Sequence, residues 1–169
     1  MSSKPEVAII MGSDSDWQLV KGAAGILAEF DVASEVRVMS AHRTPAEVAE
    51  YASKAAGRGI KVIIGAAGGA AHLAGVIAAH TILPVIGIPV AGGAVNGVDS
   101  LLSTVQMPAG IPVATVTLGS AGPVNAAVLA VQILAVGNDR LARKLVEYKQ
   151  KLKEKVSKGD AAVQSDLKK

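Results

Sequence analysis

Val36-Arg37-Val38-Met39-Ser40-Ala41-His42-Arg43-Thr44-Pro45 passes from an apolar run through a short polar loop into a helix start. The first four residues have the character of a buried strand. Thr44-Pro45 predicts a helix opening, with Thr44 as N-cap and Pro45 at the first helical position, where its missing N–H would have no intrahelical partner anyway. A strand that feeds a helix this directly is half of a βα crossover, and it sets the pattern for the chain. It also puts Ser40, His42 and Arg43 at the carboxyl end of a strand, the edge of open α/β sheets where ligands sit. Histidine has an unperturbed pKa near neutrality and can give and take a proton at working pH. Arginine offers a fixed fork of donors for phosphate or carboxylate. The stretch therefore predicts that His42 does chemistry and that Arg43 holds an anion.

The same alternation extends to both sides. Residues 6–11 predict a first strand with the exit loop Gly12-Ser13-Asp14-Ser15-Asp16, and a helix from about Asp16 to Phe30. The second strand covers about Ala33 to Met39, and its helix runs from Pro45 to about Ala56, stopped by Gly57-Arg58-Gly59. Strand three is Lys61 to Gly65, followed by a glycine-alanine loop and a helix from about Ala70 to Ala79. Strand four is Pro84 to Pro89, with a flexible loop and a short helix over Val98–Val105. Strand five is Pro112 to Leu118, and an apolar helix spans Gly122 to Val136. Asn138-Asp139 can cap a last helix, Arg140 to about Val156, whose charges are largely exposed. Five βα alternations predict an α/β fold: a flavodoxin-like three-layer αβα sandwich with a five-stranded parallel sheet in the order 2-1-3-4-5. Residues 1–156 are expected to form one domain that includes the last helix, and residues 157–169 a basic, frayed tail.

Composition narrows the classes of function. The chain has no cysteine, which excludes disulfides, thiolate catalysis and cysteine-ligated metals. The start, Met1 to Glu6, lacks an apolar core of signal-peptide length, so a cytoplasmic location is expected. Residues 140–169 carry ten Lys/Arg against four Asp/Glu, so the basic character belongs to the tail and not to the body. Its charges are mixed and only Tyr148 interleaves them, which argues for a solvated helix and against nucleic-acid binding. From Val62 to Val136 the one formally charged residue is Asp99. Glycines and prolines cut that run into pieces too short to span a membrane, so no membrane partner is expected. The pieces read as strands buried on both faces and as helices that a monomer would expose, which predicts a homo-oligomer.

The strand-exit loops are expected to converge on one edge. Gly12 to Asp16 leads into a helix N-terminus, where free N–H groups and the helix dipole suit a phosphate. Ser13 and Ser15 could add hydroxyl donors and Asp16 could accept from a ribose hydroxyl; equally, these residues could simply cap the helix. Residues 65–72, Gly-Ala-Ala-Gly-Gly-Ala-Ala-His, nearly lack side chains, so the backbone can approach a flat ligand or pack tightly on the sheet. His72 is a candidate ligand contact or a satisfied core histidine, and His80, at the far end of that helix, reads as structural. No metal-ligand spacing, P-loop, G-x-S-x-G or G-x-G-x-x-G pattern occurs. The residues alone thus describe a metal-free acid–base enzyme acting on a small phosphorylated, ribosylated compound, whose identity they leave open.

Met11-Gly-Ser-Asp-Ser-Asp16, Ser40-Ala-His-Arg-Thr-Pro45, Gly68-Gly-Ala-Ala-His-Leu73, Gly97-Val-Asp-Ser-Leu101 and Val105-Gln-Met-Pro108 together resemble the PurE family, over about residues 6–155. The resemblance is to the bacterial-type N5-carboxyaminoimidazole ribonucleotide mutases of purine biosynthesis. It implies a homo-octamer of square symmetry. The reaction moves a carboxylate from the exocyclic nitrogen of the aminoimidazole to ring carbon 4, without metal, ATP or organic cofactor. Carried over to this chain, Ser13, Ser15 and Arg43 would hold the phosphate, and Asp16 the ribose hydroxyls. His42 would be the single acid–base. Ser40 and Ala41 would shape the pocket wall, and Gly68, Gly69, Ala70, His72 and Leu73 would lie against the imidazole. The animal-type relatives, which use free carbon dioxide, typically have lysine at the position of Arg43 and a different glycine loop. The mutases usually carry proline where Ala74 stands, Gln-Ser at Ala91-Gly92 and lysine at Ser120, and none of these departures removes a proposed catalytic group. Two other functions stand beside the mutase. One is the carbon-dioxide-dependent carboxylase on the same scaffold. The other is a nucleotide- or flavin-binding module without chemistry.

Overall fold

β1 (Val7–Met11) pairs in parallel with β2 (Ser34–Val38) on one side and β3 (Val62–Gly68) on the other; β3 then pairs with β4 (Val85–Val90), and β4 with β5 (Ala114–Thr115). The strand order is 2-1-3-4-5, as the alternation of elements predicts. This computed structural model describes residues 4–168; Met1 to Ser3, at the start of the N-terminal segment read above, and Lys169, at the end of the tail, lie outside the described residues.

The period of two along each strand divides the core in two. Val7, Ile9 and Met11 of β1 join Val62, Ile64 and Ala66 of β3 against α1 (Trp17–Glu29) and α5 (Ala121–Ala135). Ala8, Ile10 and Ile63 face the other way, onto α2 (Pro45–Ala55) and α3 (Leu73–Ala79). α4 (Val98–Val105) lies beside α3 and comes so close to the sheet that a Cβ on Gly87 would be 2.3 Å from Thr104 Cγ2. Glycine at 87 is therefore what allows that helix its depth. Among the described residues no helix is long and apolar enough to cross a membrane.

Four elements differ from the expectation, each for a local reason. β2 takes the edge place that the expected order gives it, but it is less buried than its apolar residues suggest: it pairs with β1 alone, and Arg37 and Val38 are exposed. β3 runs on through Ala66, Ala67 and Gly68, in register with Ile88, Pro89 and Val90 of β4. Ala66 is still paired on both sides, but Ala67 and Gly68 are held by β4 alone, so composition suggested a loop where pairing with β4 makes a strand. β5 is only Ala114–Thr115, although its ladder continues in the hydrogen bond from Val116 N–H to Gly87 C=O. The next residue of β4 whose backbone faces β5 is Pro89, which has no N–H to donate, so the ladder stops. Finally, α6 (Asp139–Asp166) continues past Val156, where a frayed tail was expected. Extending a formed helix needs no new nucleus, and its later part has a lone glycine and no proline. The Asn138 side chain caps its start as expected, accepting from the N–H groups of Arg140 and Leu141. Leu141, Leu145 and Tyr148 pack on the α1–α5 side of the core, while Leu152, Val156, Val163 and Leu167 stay exposed.

Candidate active site

β2 and β3 flank β1 in the sheet, so their carboxyl ends bring three exit segments together. Gly12, Ser13 and Asp16 after β1, Ser40 to Arg43 after β2, and Ala67, Gly68, Ala71, His72 and Leu73 around the end of β3 line one cavity of about 400 Å³. That is the size of a small-ligand site, lined by small apolar groups with a few convergent polar ones.

The β2 exit is a self-closed loop. The Ser40 hydroxyl oxygen accepts from the N–H groups of His42 (3.3 Å) and Arg43 (3.2 Å). Thr44 answers: its Oγ1 accepts from Ser40 N–H at 3.1 Å, and its own N–H donates to Ser40 C=O at 2.9 Å. Thr44 occupies the N-cap of α2 as expected, although its hydroxyl closes this loop and makes no capping bond to the helix. Pro45 is the first helical residue, as expected. The Arg43 Nη2–H donates to Gly12 C=O at 2.7 Å, which ties the β2 exit to the β1 exit and places a fixed positive charge on the cavity wall.

At the β1 exit a short 3-10 turn over Asp14–Asp16 precedes α1. Ser13 caps this turn: its oxygen accepts from Ser15 N–H (3.3 Å) and from the Ser15 hydroxyl (2.8 Å). Both readings of this loop thus meet in one residue, since Ser13 caps the turn and also lines the cavity. Burial pushes the Asp16 carboxyl above its ordinary range, reinforced by the nearby charge of Asp14, while hydrogen bonds at Ser13 and Ser15 and the charge of Arg43 pull the other way.

His72 is the N-cap of α3 and not a residue one turn inside it, because β3 uses up part of the segment read as a loop. This brings its Nδ1 within 2.7 Å of His42 Nε2, with the two rings edge to face at 82° and centroids 4.8 Å apart. His72 therefore faces another site histidine and is not a core histidine. His80 is exposed at the C-terminal end of α3.

Of the residues singled out from sequence, Ser13, Asp16, Ser40, Ala41, His42, Arg43, Gly68, His72 and Leu73 line the cavity. Ser15 stands behind Ser13 and holds it, and Gly69 and Ala70 lie on the turn outside the wall. All five strands run parallel, so their exits share one edge as expected, but those of β4 and β5 contribute no residue to the lining of this cavity. Gly12, Ala67 and Ala71 also line it; they lie within the loops read as facing a ligand but carry no signal that singles them out, and the contact between the histidines was missed. The register of β3 against β1 creates that contact across 30 residues, and no spacing in the sequence signals it. Among the described residues no group of three His, Asp or Glu side chains could hold a metal ion.

The chain is matched over residues 6–155 by the sequence model of the family described as AIR carboxylase. It is 55% identical over 161 residues to the N5-carboxyaminoimidazole ribonucleotide mutase of Mycobacterium tuberculosis H37Rv, covering 95% of this chain and 91% of that one. To the enzyme of the same name from Bacillus subtilis it is 58% identical over 153 residues, covering 90% and 94%. The crystal structure of Treponema denticola PurE superposes with a TM-score of 0.84 at 28% identity, covering 93% of this chain and 97% of that one.

Proposed function

The chain belongs to the AIR carboxylase family, and from that premise we propose that it is an N5-carboxyaminoimidazole ribonucleotide mutase of purine biosynthesis. It converts the N5-carboxylated aminoimidazole ribonucleotide to the carbon-4 carboxylate. The observation that carries the assignment to this cavity is that His42 and Arg43 line it together with Ser13 and Asp16. One proton-transfer group, one anion-binding cation and a polar helix start then surround a space of ligand size.

The roles follow from the chemistry of each group. Arg43 and Ser13, backed by Ser15, bind the phosphate, and Asp16 accepts from the ribose hydroxyls. The imidazole lies against the Gly68–Leu73 segment, within reach of His42. His42 gives a proton to the exocyclic nitrogen as the carbon–nitrogen bond of the carbamate breaks and carbon dioxide leaves. The enamine carbon 4 then attacks the carbon dioxide, and His42 takes the proton that carbon 4 must lose. The histidine ends the cycle as it began, so no metal, ATP or organic cofactor is required. Carbon dioxide must stay in the site between the two steps, a task that needs water excluded.

The working unit is a homo-oligomer, an octamer as the family resemblance implies. Val98, Leu102 and Val105 form a stripe at helical spacing on α4, each about half exposed, within a part of the chain that has almost no charge. No nucleic-acid or membrane partner enters this account, and the reaction is placed in the cytoplasm.

The assay that tests the activity offers purified protein either the N5-carboxylated ribonucleotide alone or the aminoimidazole ribonucleotide with bicarbonate, both without ATP. Fast formation of the carbon-4 acid from the first substrate is the expected result. Turnover of the second alone would establish the carbon-dioxide-dependent carboxylase. Turnover of neither would leave a binding module.

A further inference from the structure

We propose that His72 is the positioning residue for His42: its Nδ1 accepts the Nε2–H of His42, so that Nδ1 of His42 is the nitrogen that exchanges protons with the substrate. The proposal rests on the assignment of acid–base chemistry to His42, and it gives His72 a role other than that of a substrate ligand.

The facing nitrogens are 2.7 Å apart, so one hydrogen lies between them and one of the two must be an acceptor. There are two ways to arrange this with neutral rings. If His42 donates, both histidines are in the Nε2–H form, which free histidine prefers. If His72 donates, both must adopt the less favoured Nδ1–H form. The first arrangement is therefore selected. It leaves the lone pair of His42 Nδ1 available and fixes the ring by its other end. An acid–base oriented by a third group is the logic by which a histidine elsewhere is held in one tautomer during proton transfer.

The backbone holds both rings to this contact. His42 N–H is bonded to Ser40 Oγ within the closed β2-exit loop. His72 sits at the N-cap of α3, where its C=O accepts from Val76 N–H at 2.9 Å. The residue before it, Ala71, is buried and has φ +41°, a left-handed conformation that L side chains rarely adopt. Ala71 N–H closes that turn on Gly68 C=O at 3.2 Å. A strained turn kept at a non-glycine residue, directly before a ring that meets another ring, is how local backbone strain serves a functional geometry.

In turnover, protonated His42 carries hydrogens on both nitrogens. It gives the Nδ1 proton to the exocyclic nitrogen as carbon dioxide leaves, and Nδ1 later takes the carbon-4 proton. The Nε2–H stays bonded to His72 throughout.

The test combines kinetics and spectroscopy on the full-length protein. His72→Leu lowers kcat about 10- to 100-fold, a part of what an acid–base group supplies, and leaves KM within about twofold. His72→Asn, whose side-chain oxygen falls near the position of Nδ1 and which suits an N-cap, restores most of kcat. With only three histidines in the chain, ¹⁵N-histidine labelling resolves each ring by two-bond proton–nitrogen correlation. The wild type should show His42 as the Nε2–H tautomer with a slowly exchanging proton, and His72→Leu should show a mixture of tautomers. An unchanged kcat with an unchanged His42 spectrum would overturn the proposal. So would a rise in KM with kcat intact, which would make His72 a substrate contact. If wild type turns over no substrate, the mutase assignment fails by itself, and the wild-type and His72→Leu spectra still decide whether the pair exists.

Discussion

The exits of β1, β2 and β3 differ in kind from those of β4 and β5. The first three are tied to one another by side chains, Arg43 to Gly12 and His42 to His72, while Ser40 closes the β2 exit on itself. The segments after β4 and β5 turn on left-handed residues, Gly93, Asn96, Gly97 and Gly119, and expose Val95. Gly97 is required there, because at φ +90° a Cβ would lie 2.9 Å from Ala91 Cα. Ser100 pins the loop by donating to Val90 C=O and Gly97 C=O, but the face beyond it, on α4, is apolar and uncovered. The first region has its polar partners within one chain. The second leaves in water apolar surface worth roughly 25 cal/mol for each Å² that a neighbour would cover. On the proposed homo-oligomer the difference separates chemistry from assembly: the exits of β1, β2 and β3 line the cavity, and the apolar α4 face is the surface offered to a neighbouring chain.

At the cavity framed by the first three exits, the largest effect is expected of His42→Asn. It should lower kcat about 10³-fold with KM little changed, as loss of an acid–base group does; steady-state kinetics with the N5-carboxylated substrate will show it. Arg43→Ala should next raise KM about 10- to 100-fold, the equivalent of losing a charged hydrogen bond to phosphate. Arg43→Lys should recover only part of this, because a point charge cannot also keep the fork on Gly12. For the second region, Leu102→Asp on the α4 stripe should lower the mass measured by light scattering, while circular dichroism stays that of the folded chain. An unchanged mass would remove that face from assembly.

The smallest effect lies away from both regions, on the β2 edge. Burial of Glu35 works to raise its carboxyl, but hydrogen bonds from Tyr51 and Arg58 and the charges of Arg58 and Arg37 outweigh it, so Glu35 ionises below its ordinary range. A carboxyl with a depressed folded pKa adds stability above its unfolded pKa of about 4, and that stability is lost as pH falls through the folded value. Glu35→Gln should cost about 1 kcal/mol at neutral pH. The Tm of variant and wild type should converge in acid, and a constant gap down to the lowest pH would contradict the ion pair.

The fold was legible because strong local signals agreed. The apolar runs and the glycine and proline punctuation placed all five strands and the helices between them, and Pro45 and Asn138 marked helix starts correctly. Lengths were less legible, because pairing partners set them: β3 runs on along β4 beyond the end of β1, and β5 stops short of Pro89. At the site, Ser40, His42 and Arg43 could be found because one stretch contains them. Ala67 and Ala71 carry no chemical signal, and the approach of His72 to His42 exists only through the register of β3 on β1.

The most direct test of the central claim, an intramolecular transfer of the carboxylate within this cavity, is to follow its carbon. N5-carboxylated substrate labelled with ¹³C in the carboxylate is converted in unlabelled bicarbonate buffer, and the carbon-4 acid is analysed by mass. The label should be retained in the product at early times. A product whose carboxylate matches the buffer from the first turnovers would show that carbon dioxide comes from solution, and would contradict the mutase.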